Sequence, residues 1–261
     1  LVQNGDFSEE GVQEVSNGSF TNGSTDWSLE NTWTIGNSVA NGNGAVGSTE
    51  ELTQNNTFTL GKTYKVVYDV LNYVSGNIQF QFSGGATLSG TTRSSDGTFT
   101  EYVVATANHT LLKFKAGSPF NGSITNISVK EVGQNWALDA NTTISDGQAD
   151  FNYTGFSSMI QASPNLIPVV GNTYILSYEI TEYTSGSFRL NFGGTETNSG
   201  SVGVRTATIK AISTGQLQAV GSGIGFIGSV TNLSIIEITT DTNLPRINYE
   251  GFSYQDALGS E

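Results

Sequence analysis

Two sets of polar side chains, each with a tyrosine among them, have the residue types and spacing best suited to binding a ligand. They lie in two similar segments: Asp69, Tyr73, Gln79 and Gln81 in the first, and Glu179, Tyr183, Arg189 and Asn191 in the second. Carbohydrate recognition needs planar polar groups that bond to pairs of hydroxyls, beside an aromatic ring that covers the apolar side of the sugar. A solvated sheet face with a cross-strand ion pair between Glu179 and Arg189 is the alternative interpretation.

Trp33 is a further candidate, because the internal repeat of the chain does not preserve it. Trp27 recurs as Trp136 with apolar neighbours, which predicts core packing for both, whereas Trp33 is replaced by Thr142. An exposed tryptophan could stack on a sugar ring. Ordinary packing at the rim of the fold is the alternative.

Acidic side chains offer a possible calcium site, because this hard cation prefers oxygen ligands. The candidates are Asp6, Asp26, Glu50 and Glu51. No D-x-D-x-D loop accompanies them, and solvated carboxylates are the simpler interpretation. No other cofactor is expected.

The sequence does not indicate an enzyme. His109 is the only histidine and there is no cysteine, which excludes histidine-based zinc sites, Ser-His-Asp catalysis and thiolate chemistry. Glycoside hydrolysis needs two facing carboxylates at a fixed separation. Asp69 and Glu179 lie at matching places in different repeats, so we do not expect them to form that pair.

The elements that carry the polar residues are predicted strands. In residues 61–82 apolar side chains alternate through Tyr64, Val66, Tyr68 and Val70, and again through Ile78, Phe80 and Phe82; residues 171–192 repeat the pattern. A period of two indicates a strand with one buried face. The Ser-Gly pair between the two runs predicts a hairpin in each copy. A three-residue loop would set Val70 opposite Phe80 and Tyr68 opposite Phe82.

The repeat predicts two similar domains. We define the first module as residues 17–132 and the second as residues 133–238, because both share the hairpin segment and a closing G-S-[IV]-T-N run. Residues 1–16 form an entry segment whose N-G-D-F motif at 4–7 is duplicated as N-G-S-F at 17–20, and residues 239–261 form a connector. Seven or eight short strands with polar turns in each module predict an all-β antiparallel sandwich or jelly roll.

Composition excludes some partners. The net charge of −13 argues against nucleic acid and anionic membranes, which attract basic surfaces. No apolar run reaches the length of a bilayer crossing. Because the chain begins at Leu1, we interpret it as a piece of a longer polypeptide.

Several motifs carry a family resemblance. They are residues 17–20 (N-G-S-F), 26–29 (D-W-S-L), 61–64 (G-K-T-Y), 73–76 (Y-V-S-G) and 120–132 (F-N-G-S-I-T-N-I-S-V-K-E-V). With them the chain resembles, over nearly all its length, the carbohydrate-binding-like jelly-roll modules of bacteriophage tail and tail-fibre proteins. The second module departs from the pattern at 132–135, where V-G-Q-N replaces N-G-x-F.

The resemblance implies tandem jelly rolls of the carbohydrate-binding-module type in a non-enzymatic virion appendage. It further implies adhesion to host surface glycans, a location on the virion surface, other virion proteins as partners and a homo-oligomer. Apolar residues of the tail, Ile247 to Tyr254, are candidates for the oligomer contact. A structural spacer, or a capsid or tail decoration protein without a ligand, is the alternative.

Overall fold

The computed structural model describes residues 2–30, 33–46, 51–162 and 165–239, and in these residues the fold is all-β. The strands of the first sheet are β1 (Glu10–Gln13), β2 (Ser28–Leu29), β3 (Thr34–Gly36), β4 (Val39–Val46), β5 (Glu51–Phe58), β6 (Thr63–Ser83), β7 (Leu88–Ser89), β8 (Gly97–Val104) and β9 (His109–Val132). Those of the second are β10 (Trp136–Leu138), β11 (Thr142–Ser145), β12 (Gln148–Tyr153), β13 (Ser157–Gln161), β14 (Thr173–Phe192), β15 (Thr195–Ser199), β16 (Gly203–Lys210) and β17 (Gln218–Ile238). This part of the chain contains no helix of the length and hydropathy that a membrane crossing requires.

Each sheet is built around two long antiparallel strands that bend. In the first, β6 pairs with β9 along almost its whole length. The outer edge of β9 pairs with β5 in one half and β4 in the other, while the outer edge of β6 pairs with β8 and β7. Irregularities in the ladder at the middle of both long strands let them bend, since bulges kink a strand. Each sheet thereby forms a sandwich-like body around its own core.

Apart from β1, which has no counterpart in the second sheet, the two modules repeat each other strand for strand. In the second sheet, β14 and β17 take the places of β6 and β9, with β16 and β15 on one edge and β12 and β13 on the other. The predicted alternation is confirmed. Its inward side chains in both copies are buried: Tyr64, Val66, Tyr68, Val70, Ile78, Phe80, Phe82, Tyr174, Leu176, Tyr178, Ile180, Phe188, Leu190 and Phe192. Trp27 and Trp136 are core residues as well.

The predicted hairpins are wrong. Residues 74–76 do not reverse the chain, and Val70 and Phe80 lie opposite Ile124 and Phe114 of β9, not opposite each other. Gly76 has a φ of 81°, and a Cβ there would overlap the carbonyl oxygen of Pro119. The glycine therefore marks a bulge where two backbones approach closely, which is the other structural meaning of glycine within a strand.

The N-terminal motif belongs to the second module. Phe7 is 2% exposed within the second core, and its ring lies 5.4 Å from that of Trp136. The Trp136 Nε1–H donates to the Asn4 carbonyl at 3.1 Å, and the Leu233 N–H donates to the Gly5 carbonyl at 2.8 Å. Residues 4–7 thus supply the opening motif that residues 132–135 lack.

The first module holds its own copy of the motif in the same way. The Trp27 Nε1–H donates to the Asn17 carbonyl at 3.1 Å, and the Ile127 N–H donates to the Gly18 carbonyl at 3.0 Å. Phe20 packs on Trp27 with 5.3 Å between ring centroids. The sequence boundary at residue 16 therefore does not separate the two bodies, because residues 4–7 lie in the second and β1 pairs with β9 of the first.

Candidate functional site

The bend in the long strands separates the side chains that the hairpin prediction placed together. Asp69 lies in the half of β6 that pairs with β8, whereas Gln81 lies in the half that pairs with β7. In the second module Glu179 pairs with β16, and Arg189 and Asn191 pair with β15. Neither predicted set forms one continuous face.

Asp69 and Glu179 hold equivalent positions and bond to equivalent asparagines. The Asn126 amide donates to Asp69 at 2.7 Å, and the Asn232 amide donates to Glu179 at 2.9 Å. Both asparagines have positive φ angles, 51° and 55°. The carboxylates therefore fix a left-handed residue in β9 and in β17.

Tyr73 and Tyr183 also make matching local contacts. The Tyr73 hydroxyl donates to the Gly76 carbonyl at 3.0 Å, and the Tyr183 hydroxyl donates to the Gly186 carbonyl at 3.2 Å. Tyr73 packs against the first core, while Tyr183 is 39% exposed. Both hydroxyls close the bulge of their own strand.

Trp33 is not the exposed platform that sugar stacking requires. It is 4% exposed and packs on Phe120 with 6.1 Å between ring centroids. The structure supports the packing alternative for this residue.

The glutamines of the first module are engaged within the sheet. Gln81 is buried and its amide donates to the Ser89 hydroxyl at 3.0 Å. Gln79 accepts a longer hydrogen bond from Thr92 at 3.4 Å.

A cavity of about 320 Å³ lies over the outer face of the second module, at the lower end of the range for ligand pockets. It is lined by Asn191, Glu196, Gln216 and Gln218, with Phe192 and two glycines. Asn191 lies between Glu196 of β15 and Gln218 of β17 in the sheet register. Adjacent strands therefore bring a carboxylate and two amides side by side.

One polar atom of this lining, the buried Oδ1 of Asn191, lacks a partner among the described residues. The Nε of Arg189, two residues earlier on β14, also lacks one, but Arg189 does not line the cavity. Arg189 forms its ion pair with Glu196 at 2.8 Å, so its predicted pairing with Glu179 is wrong. The described residues therefore supply no counterpart for the Asn191 acceptor beside this cavity.

A larger cavity, of about 370 Å³, lies where the modules meet, but its polar groups are paired. Glu10 accepts hydrogen bonds from Lys65 at 2.7 Å and Lys130 at 2.8 Å, and these bonds, Lys130 first, lower the pKa of its carboxyl. The Tyr102 hydroxyl donates to Asp146 at 3.1 Å. The crevice therefore joins the modules and leaves fewer groups for a ligand.

The calcium candidates are engaged elsewhere or lie outside the described residues. Asp6 accepts from the Ser8 hydroxyl at 2.8 Å in the segment on the second module, and Glu51 pairs with Lys113 at 2.7 Å in the first. Asp26 occupies a turn position with a φ of 69°. Glu50 is not among the described residues. Those residues contain no group of three or more histidine, cysteine or acidic side chains that could hold a metal ion.

His109 lies in the core of the first module. It is fully buried at the start of β9, opposite Phe58, and its ring centroid lies 6.0 Å from that of Phe82. Desolvation lowers the pKa of its imidazole, since neither ring nitrogen has a hydrogen-bond partner among the described residues.

Acidification is therefore expected to destabilise the first module through His109. The unfolded imidazole takes up a proton below about pH 6.5, whereas the folded one resists it, so stability is complete above that pH and declines as the pH falls. Denaturant unfolding at pH 7.5 and 5.5 measures the loss, and His109→Phe should reduce it. Burial raises the pKa of Glu14, which acts in the opposite direction. An unchanged pH dependence in the variant would contradict this assignment.

No protein-family model matches the chain, and no curated protein matches it significantly.

Proposed function

We propose that this chain is a non-enzymatic part of a phage virion appendage that adheres to host surface glycans through the outer face of its second module. The setting rests on the resemblance described above. The observation that carries the binding proposal is the polar lining of the 320 Å³ cavity, where Asn191, whose Oδ1 has no partner among the described residues, lies between Glu196 and Gln218.

The chemistry of that lining suits a saccharide. A sugar hydroxyl both donates and accepts, so neighbouring hydroxyls can bond to amide and carboxylate groups at the same time. Glu196, Gln216 and Gln218 add planar polar groups at the same cavity. A buried polar group without a partner is costly, so a ligand hydroxyl that bonds to Asn191 gains affinity from a group already in place.

Room for more than one sugar ring lies next to this cavity. Glu196 also lines a second cavity of about 330 Å³ between β15 and β16, together with Asn198, Arg205 and threonines of both strands. Because Glu196 faces both cavities, an oligosaccharide could span them through this one carboxylate.

The first module provides an internal comparison. Gln81 holds the place of Asn191, since each lies second from the end of the apolar alternation, but its amide is bonded to Ser89. Among the buried unpaired atoms of the described residues, the side-chain oxygen at this position occurs for Asn191 and not for Gln81. A residue needed only for the fold would be expected in both copies.

Asn191→Ala is expected to weaken glycan binding about 2–10-fold, the loss of one hydrogen bond of 0.5–1.5 kcal/mol. The free energy of unfolding should not fall, because the replaced acceptor has no partner among the described residues. A glycan array identifies the ligand, and calorimetric titration of the variant measures the change. Gln81→Ala is the matched control and should leave affinity unchanged. Equal losses in both variants would contradict the assignment to the second module.

A structural spacer without a ligand is the second candidate. The aromatic candidates favour it, because each already makes contacts within its own module. Trp33 is buried, and the hydroxyls of Tyr73 and Tyr183 close their own bulges. Absence of hits on a broad array at millimolar sensitivity would overturn the glycan proposal in its favour.

A further inference from the structure

We propose that the N-terminal strap, residues 2–13, is exchangeable between chains, so that the pocket beside Trp136 and the edge of β9 together form an interaction surface for the strap of a second copy. The strap has two parts, the N-G-D-F motif in the second module and β1 on the first.

The pocket for the motif is specific in shape. The Asn4 and Gly5 carbonyls accept from Trp136 and Leu233, and a Cβ at Gly5 would overlap the Leu233 carbonyl. Asn4 and Phe7 have φ angles of 46° and 54°. The contacts therefore select a short turn with glycine at its second position and a buried aromatic at its fourth.

The same pocket occurs in the first module, which shows that it recognises the motif and not its place in the chain. There Asn17 and Phe20 have φ angles of 49° and 53°, and a Cβ at Gly18 would overlap the Ile127 carbonyl. One pocket is filled by the adjoining segment. The other is filled by residues that precede its module by more than a hundred positions, as the separation of 132 between Asn4 and Trp136 indicates.

The rest of the strap is held at the surface. The ladder between β1 and β9 places Glu10 opposite Val132 and Gln13 opposite Lys130, with an irregularity between them. The Gln13 side chain adds two bonds to β9: it donates to the Ser128 hydroxyl at 2.7 Å and accepts from the Val129 N–H at 2.8 Å. Its ion pairs, from Glu10 to Lys65 and Lys130, are partly exposed and of the kind that contributes little. Val15 then enters the first core, so exchange has its hinge between Gln13 and Val15.

The partner follows from these contacts. A second copy carries the same strap, and every contact made within one chain can be made between two with two-fold symmetry. The linked strap competes at an effective concentration in the millimolar range. Exchange is therefore expected where copies are crowded together or where the chain's own motif is impaired.

The first experiment uses the full chain with Phe7→Ala and a synthetic peptide of residues 2–13. The peptide is expected to raise the thermal unfolding midpoint of the second module, or to refold that module if the substitution has unfolded it. A peptide with Gly5→Ala should bind at least about tenfold more weakly, because its Cβ overlaps backbone. No effect of the unmodified peptide at 1 mM would overturn the proposal.

The second experiment tests a whole chain as donor. The Phe7→Ala chain is mixed with a Trp136→Ala chain, whose strap is intact but whose own pocket is impaired. Light scattering after gel filtration should show a mixed dimer that neither chain forms alone. A donor carrying both substitutions is the control. Binding of the peptide without any mixed dimer would overturn exchange between copies and leave only a peptide site.

Discussion

Replacing Phe7 by alanine is expected to lower the free energy of unfolding of the second module by about 3–5 kcal/mol, the usual range for a buried phenylalanine. The side chain is almost fully buried and packs on Trp136 within a core whose other buried members all lie beyond position 130. Hydrogen exchange followed by mass spectrometry locates the loss. Faster exchange should appear in β10 to β17 and not in β4 to β9.

Phe20→Ala is the matched control, since Phe20 holds the same place against Trp27. It should destabilise the first module by a similar amount. If Phe7→Ala instead increases exchange only within residues 2–13, the N-terminal motif lies on the second module without stabilising its core.

Gly186→Ala is expected to cost about 3–5 kcal/mol, among the larger effects of single substitutions. Gly186 has a φ of 84°, where an L-residue loses roughly 1–2 kcal/mol. The added Cβ would also overlap the carbonyl oxygen of Gly225 in β17. Because that oxygen belongs to backbone, relief requires the bulge to open.

Gly171→Ala separates the cost of the positive φ from the cost of the overlap between the added Cβ and backbone. Its φ is 94°, yet nothing lies within 4 Å of the added Cβ, so only the conformational cost of about 1–2 kcal/mol applies. Denaturant unfolding of both variants measures the difference. Equal costs would show that close approach of the two strands at Gly186 is not what requires glycine.

The buried face of each long strand could be predicted from sequence, but its partner could not. Alternation from Tyr64 to Phe82 depends only on which side chains point inward, and a bent strand keeps it. The Ser-Gly pair indicated a turn because glycine supplies a positive φ in turns and bulges alike. Which of the two forms depends on whether another backbone approaches, and that backbone, at Pro119, is distant in sequence.

For the candidate site, too, residues on one strand could be predicted from the sequence, but residues on its partner strands could not. Arg189 and Asn191 could be predicted to share one face because they are two residues apart on a strand. Glu196 and Gln218 were missed, because they join Asn191 only through strand pairing. Gln218 begins β17, and the hairpin prediction did not pair β17 with β14. The repeat itself contained a signal for Gln218. The closing segments of both modules, β9 and β17, are long enough to pair with the whole of β6 and β14.

The attachment of residues 4–7 to the second module also fixes the order in which that module can be finished during synthesis. Thr231 bonds to Asp6 across 225 residues of sequence, so the motif leaves the ribosome long before the strand that receives it. The first module can fold as soon as β9 is made, while the Phe7 ring remains exposed to solvent. Contacts this distant in sequence form slowly because a large loop must close first. Until β17 emerges, the nascent chain carries a folded domain and an unburied aromatic segment, a form that chaperones bind.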